Sequence, residues 1–370
     1  MPLVSILMNS RNAAGYLDQA VRSVLGQTYP LIELIVSEAS DDEDGVALLR
    51  SWNDPRLVVV RDTDRRGWAH GINLADAEAT GDLVLFCSGD DVFQPSAIER
   101  MVAQLTSSAA GCVVAPVRGV DEQGVPLNRC IVVPEEVRRE PTWVRLFERN
   151  YIVVAMTRRG VLPRPLIDES VRGVGGDWDL WLRLVQESAG FTYLDEMLFD
   201  YRVHDGSLVA TEGDTRTDMR NVLERIGWPA IRAAYERSAL SREDVAEGLA
   251  NIAVTMGEHE LALQYWLHRA AETNDAMAAV QAGALLLLLG HESAAEAMLR
   301  RVALPGRAPD AWNNLGVALG RRALTTEAMS CFDEALRQLP LYRDARLNRA
   351  SESPTWITER PLRPLDQILR

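Results

Sequence analysis

The chain has 370 residues, 47% of them hydrophobic and 25% charged, and a formal net charge of −14. That length exceeds one average domain and admits two with separate cores, and the composition is that of a globular protein rather than a fibrous or disordered one. The acidic balance argues against a broad surface for nucleic-acid backbone or anionic lipid, which clustered Lys and Arg would have to supply; Arg61, Arg65 and Arg66 make only a local basic spot.

In chain order, Val4 to Met8 is a short apolar run that reads as a strand, and Tyr16 to Leu25 has apolar residues at helical spacing. Glu33 to Ser37 follows as strand, Val46 to Trp52 as helix, Leu57 to Arg61 as strand, Gly71 to Ala79 as helix, Leu83 to Cys87 as strand, and Pro95 to Leu105 as helix with Pro near its start. Such alternation favours a largely parallel sheet covered by helices, with ligands beyond the carboxyl ends of the strands. Glu38-Ala39-Ser40-Asp41 and Ser88-Gly89-Asp90-Asp91 both fall at such ends. Beyond Cys112 the pattern loosens: Val113 to Val117 reads as strand, Asp121 to Gly124 as turn, Thr142 to Asn150 as helix and Tyr151 to Thr157 as strand. Asp177 to Glu187 is then a helix, with Trp178, Trp181, Leu182 and Val185 at core spacing, and Asp195 to Arg202 a strand.

After a helical connection, Asp218 to Ser238, the composition shifts to Ala, Leu, Glu and Arg with little strand propensity. A weak repeat in the mid-thirties aligns Ala262, Ala297 and Ala328, which is the period of helix-turn-helix solenoids. Its last unit, from Ala311-Trp312-Asn313-Asn314-Leu315-Gly316 to Pro340, resembles a tetratricopeptide repeat. Such helices either bury apolar surface and associate with a second copy, or present a concave face to a protein or peptide partner. Cys87, Cys112, Cys130 and Cys331 show no CxxC spacing, so neither a zinc site nor a disulfide framework is expected. The apolar stretch Ala276 to Leu289 falls short of the roughly 20 residues that span a bilayer, and the N-terminus lacks a signal-peptide pattern. The expected setting is the cytoplasm or the inner face of the membrane.

Several ordered motifs in the first half carry a family resemblance. They are Val4 to Asn12 with Tyr16-Leu17, Ser23 to Pro30, Glu33 to Val36, Thr80 to Phe86, Asp90-Asp91 with Pro95, Asp177-Trp178-Asp179-Leu180-Trp181-Leu182-Arg183-Leu184, and Tyr201-Arg202-Val203-His204. Together they resemble the glycosyltransferases of family 2, an inverting group with the GT-A fold. The resemblance implies an α/β domain over 1–210, a Rossmann-like mixed sheet flanked by helices. An all-α part follows it, with a connection at 211–240, repeats at 241–350 and a tail at 351–370. It also implies donor contacts at Ser10, Asn12, Glu38, Asn73 and Asp90, a nucleotide-sugar donor, and a glycan or protein acceptor.

The chemistry of sugar transfer asks for the same residue types on its own terms. A departing diphosphate needs a divalent cation, Mg²⁺ or Mn²⁺, on acidic ligands at a strand end, and Asp90 and Asp91 are so placed, with His204 as a further ligand. An acceptor hydroxyl needs a carboxylate base, for which Asp177 is the candidate, with Trp178 and Asp179 as acceptor contacts. Trp68 and His70, in the loop that the resemblance brings to the donor, could stack on the nucleobase. Taken singly, these residues read equally as a turn, a helix cap and a surface histidine.

The chain departs from the family pattern at four places. Glu38-Ala39 stands for an Asp-Asp pair, Ser88 for the first Asp of an Asp-x-Asp motif, Ile72 for an Arg, and Gly176 for an acidic residue before the base. Each change removes or moves a charge. They leave open a second reading, a non-catalytic glycan- or protein-binding scaffold derived from such an enzyme.

Overall fold

Apolar runs flanked on both sides by parallel neighbours have no solvent face, and Val4–Ser10 (β1) is such a strand, buried along nearly its whole length. The structure, a computed structural model, describes residues 1–171, 175–207, 215–273, 275–304 and 308–351. The expected tail beyond residue 351 and the first residues of the expected connection, 211–214, lie outside the described residues. Beside β1 lie Ile32–Glu38 (β2) and Leu83–Ser88 (β4), both parallel to it, and Leu57–Arg61 (β3) extends the sheet beyond β2. Cys112–Ala115 (β6), Val154–Arg158 (β9) and Phe191–Tyr193 (β10) complete a seven-stranded sheet of order β10-β6-β9-β4-β1-β2-β3, in which β9 runs antiparallel to both neighbours. A second sheet of four strands orders Val92–Phe93 (β5), Phe199–Arg202 (β11), Val117–Val120 (β7) and Pro126–Ile131 (β8).

The helices of this part are Ala14–Leu25 (α1), Asp44–Ser51 (α2), Trp68–Glu78 (α3), Ala97–Thr106 (α4), Glu135–Arg139 (α5), Gly176–Gln186 (α6), Thr215–Ile226 (α7) and Trp228–Glu236 (α8). Leu17, Val21 and Val24 of α1 and Ile98, Met101 and Leu105 of α4 share one core with Ile6, Met8, Leu34, Val36 and Leu85 of the central strands. Their spacing is the helical one read from the sequence. The mixed sheet with flanking helices is the GT-A architecture.

The expected strand Asp195 to Arg202 is confined to Phe199–Arg202, β8, β10 and α5 were not expected, and two further differences have clear causes. The run Val113 to Val117 is two strands, because Pro116 interrupts it and β6 and β7 enter different sheets. The expected helix Thr142 to Asn150 is only a 3₁₀ turn, Val144–Phe147: Trp143 has a left-handed φ of 54°, and the Glu140 carboxylate accepts from the backbone N–H groups of Thr142 and Val144.

Residues Met1–Ala239 form one compact unit and those from Leu240 onward a second. The α7 and α8 helices belong to the first, where the Tyr235 hydroxyl donates to Glu148 Oε1 at 3.0 Å. The second contains Arg242–Thr255 (α9), His259–Thr273 (α10), Ala276–Leu288 (α11), Glu292–Arg300 (α12), Pro309–Arg321 (α13), Thr325–Gln338 (α14) and Arg343–Ala350 (α15). Small residues let these helices approach. A Cβ at Gly316 would sit 2.5 Å from Phe332 Cε1, and one at Gly283 2.7 Å from Leu299 Cδ2. Gly316→Val is therefore expected to destabilise the helical unit by about 1–3 kcal/mol, read as a lower denaturation midpoint with the first unit unaffected. No described helix is long and apolar enough to cross a membrane.

Candidate active site

The strand ends of the central sheet converge on one edge. Gly89 follows β4, and its N–H donates to Asn9 O of β1 at 3.0 Å. A Cβ at residue 89 would meet Ser10 Cβ and Leu17 Cδ1, each at 3.2 Å. Glycine here permits the loop to fold back against β1, which presents Asp90 and Asp91 beyond the sheet.

Two residues at the end of β11 hold that loop. His204 Nε2 lies 2.8 Å from Asp90 Oδ2. Arg202 donates through Nε to Asp90 O at 3.0 Å and through its backbone N–H to Asp91 Oδ1 at 3.2 Å. Its other nitrogens reach Asp121 O, Glu122 O and Gln19 Oε1, and its guanidinium lies 4.8 Å over the Tyr16 ring, which in turn meets the His204 ring at 5.1 Å. Burial, and then the Asp90 charge beside it, push the Asp91 carboxyl well above the usual carboxylate range. A divalent cation would relieve that crowding of charge. Among the described residues no group of three or more His, Cys, Asp or Glu side chains is arranged to hold a metal. The side chains that could hold Mg²⁺ or Mn²⁺ here are Asp90 and His204, with phosphate oxygens and water needed for the remaining positions. Asp91, tied to the Arg202 backbone, sits behind them.

Asp177 lies in the first turn of α6. Its Oδ2 accepts from Asn150 Nδ2 at 3.1 Å and its Oδ1 from the Trp178 N–H at 2.6 Å. Burial nevertheless dominates and raises its pKa to about 6, against the opposing pull of those two donors. Tyr201 connects the two acidic places: its phenol is pushed upward by burial first, then by Asp91 and Asp90, and further by Asp177. Asp90, Asp91 and Asp177 thus all act on the Tyr201 phenol.

The remaining expected residues are placed variously. Ser10 is buried at 1% exposure and its Oγ has no hydrogen-bond partner, as do Ser37 Oγ, Glu38 Oε2 and Asp62 Oδ2 at the neighbouring strand ends. Glu38 is fully buried: Oε1 accepts from the Ser40 N–H at 2.7 Å, and its carboxylate packs on Gly45 of α2. Asn12 joins the loops after β1 and β2, exchanging side-chain hydrogen bonds of 3.2 Å with Asp41. Asn73 clamps the Ile167 backbone through both amide atoms, at 2.8 and 2.9 Å. These last three side chains are occupied in positioning loops, which differs from the donor contacts expected of them.

Trp68 is half-buried, edge-on to Phe86 at 5.6 Å, and its Cζ3 lies 3.3 Å from where a Gly176 Cβ would be. The tryptophan therefore occupies the space beside α6 that a side chain at 176 would take, next to Asp177. His70, at 6% exposure, sits among Arg66, Glu169 and Asp62 and presents no ring face for stacking. The expected acceptor contacts also differ. Trp178 is 1% exposed with its indole donating to Leu146 O at 2.7 Å, and Asp179, equally buried, pairs with Arg183 at 2.8 Å. Both side chains anchor α6 in the core.

Residues 5–161 match the family model described as glycosyl transferase family 2. The putative teichuronic acid biosynthesis glycosyltransferase TuaG of Bacillus subtilis is 26% identical over 217 residues, 56% of this chain and 81% of that protein. The Escherichia coli UDP-Glc:alpha-D-GlcNAc-diphosphoundecaprenol beta-1,3-glucosyltransferase WfaP is 26% identical over 231 residues, 61% of this chain and 88% of that protein. Among solved structures, S. aureus TarS 1-349 superposes with a TM-score of 0.51 at 14% identity over 92% of each chain. The same protein in complex with UDP-GlcNAc gives 0.51 at 15% identity, over 92% of this chain and 93% of that one. At these identities the structures speak to the fold.

Proposed function

We propose that this chain, whose matched domain and relatives point to a family 2 glycosyltransferase and whose fold the solved structures share, transfers a sugar with inversion from a nucleotide-sugar to an acceptor hydroxyl, with Asp177 as the general base. The observation that carries the reading is the Asp177 carboxylate, its pKa raised to about 6 and both its oxygens held by donors. A base titrating near the working pH is ionised yet still basic enough to take a proton in the transition state. Asn150 has its own Oδ1 committed to the Ile152 N–H at 3.0 Å, so its amide is turned with the NH₂ toward Asp177. Removing that donor leaves burial less opposed. Asn150→Ala is expected to move the acidic limb of the pH–rate profile upward by roughly one unit, measured as initial rate between pH 5 and 9.

Asp90 and His204 would hold the divalent cation, and Ser10 and Trp68 line the approach to the donor. When bound, the cation offsets charge on the departing diphosphate. Arg202 keeps the Asp90-Asp91 loop in place, and the raised Asp91 carboxyl limits repulsion next to Asp90. A glycan carrier as acceptor is supported by the E. coli relative, whose name specifies a diphosphoundecaprenol-linked sugar. A carrier-linked acceptor of that kind would put the reaction at a membrane surface.

A binding scaffold is the second reading, favoured by the reduced charge at Ala39, Ile72, Ser88 and Gly176. Thermal-shift measurements with a panel of nucleotide-sugars separate the two. The transferase reading expects little stabilisation by Mn²⁺ alone, because the protein supplies few ligands, and a larger shift when one nucleotide-sugar is added. No shift with any donor and Mn²⁺ together would support the scaffold.

A further inference from the structure

Arg129 lies on β8, where a bulge against β7 sets it opposite Gly119, and is two residues from Ile131. Ile131 and Tyr201 of β11 both pack against the main core. Between the two strands runs β7, where Gly119 is in register with Tyr201. Gly119 has no side chain, and Arg129 lies beside the gap: a Cβ at 119 would sit 3.5 Å from Arg129 Cβ and 3.7 Å from its Cδ. The row Tyr201, Gly119, Arg129 thus leads across the sheet from the acidic site to a cation, with no side chain standing between.

That cation is half-buried, and among the described residues it has neither an ion-pair partner nor a hydrogen-bond acceptor. Many arginines of this unit are paired, for example Arg56 with Asp54, Arg118 with Asp200 and Arg183 with Asp179. In a chain of net charge −14 such an uncommitted guanidinium is unusual. At the Tyr201 phenol Arg129 acts in the opposite direction to Asp90, Asp91 and Asp177. A planar guanidinium with free donors matches phosphate oxygens in bidentate geometry.

We propose that Arg129 binds a phosphoryl group of a substrate, reaching it over Gly119 beside Tyr201. Two sources carry that chemistry, the diphosphate of the donor and a phosphate linking the acceptor to its carrier. The proposal rests on the transfer reading for the identity of the substrate, and its test is separate from turnover.

The full chain is titrated calorimetrically with inorganic pyrophosphate in metal-free buffer, as wild type, Arg129→Gln, Arg129→Lys and Asn128→Ala. Asn128 is the exposed neighbour of Arg129 on the same strand. Arg129→Gln is expected to weaken binding about tenfold or more, as loss of hydrogen bonds to a charged group implies. Arg129→Lys is expected to retain part of the affinity and Asn128→Ala all of it. Titrations with UDP and with farnesyl diphosphate then assign the source: a defect confined to UDP places the donor there, and one confined to farnesyl diphosphate the acceptor. Equal pyrophosphate affinity in wild type and Arg129→Gln, or no binding by the wild type, overturns the proposal. A wild type that binds pyrophosphate through Arg129 but turns over no nucleotide-sugar contradicts the transfer reading alone.

Discussion

Asp177→Asn is expected to lower kcat by about 10²–10⁴-fold, the usual contribution of a positioned general base, with donor affinity nearly unchanged. Asparagine keeps the side-chain oxygen that accepts from the Trp178 N–H, while its amide NH₂ takes the place of Oδ2 and gives up the hydrogen bond from Asn150 Nδ2 together with the ionisable group. The loss of rate is not expected to come from unfolding. Burial raises the folded pKa of Asp177 to about 6, above the unfolded value of about 3.9, so ionising it costs folding free energy. That cost is absent below the unfolded pKa and fully present above the folded one. At pH 8 this relief offsets the lost Asn150 hydrogen bond, so the variant should stay folded with a stability close to that of the wild type, and thermal denaturation beside the kinetics checks both statements. In the wild type the same sign makes activity rise with pH through about 6, as the base ionises.

Asp90→Ala is the second large expected effect. It removes the carboxylate that faces His204 Nε2 at 2.8 Å and with it the principal protein ligand of the proposed cation. Loss of the charge offset at the diphosphate is expected to cost several kcal/mol of transition-state stabilisation, on the order of 10²–10³-fold in kcat/KM. Nucleotide-dependent thermal stabilisation in the presence of Mn²⁺ should fall with it. The fold is expected to persist, because Arg202 holds this loop through the Asp90 carbonyl as well as through Asp91. A variant that keeps wild-type kcat/KM would remove Asp90 from the site.

Much of the first unit was legible in the sequence because its signals are local. Leu57–Arg61 is a strand with the bounds its β-branched run suggests, and Asp177 begins α6 where the apolar spacing starts. The misread places have identifiable causes. One proline divided an apolar run, and at Trp143 tertiary packing overrode a helical pattern: the ring is buried against Phe191 at 5.0 Å while its backbone is left-handed.

The site was legible in part for the same reason. Asp90, Asp177 and His204 stand in short motifs, whereas their supports come from far along the chain. Arg202 reaches Asp90 across 112 residues, and Asn150 reaches Asp177 across 27. A buried arginine must find several acceptors, which was the available hint for Arg202. No such hint marked Asn150 or Arg129, whose positions depend on which strands become neighbours. Trp178 and Asp179 illustrate the converse, since adjacency to the base suggested acceptor contacts and the helical period turned both inward. The departures from the family pattern also acquire physical reasons. Ile72 is fully buried, Ala39 is 4% exposed, and Gly176 lies under the Trp68 ring, so each suits an interior position.

The central claim is that Asp177 drives sugar transfer from a nucleotide donor, and the most direct test is nucleoside diphosphate release from a panel of nucleotide-sugars. It is measured with Mn²⁺ and carrier-linked acceptors from pH 5 to 9, for wild type and Asp177→Asn side by side. The account predicts acceptor-dependent release with one donor by the wild type, rising through about pH 6, and near-background release by the variant at every pH. Release by Asp177→Asn at the wild-type rate, or a wild-type profile with no limb near that pH, would contradict it.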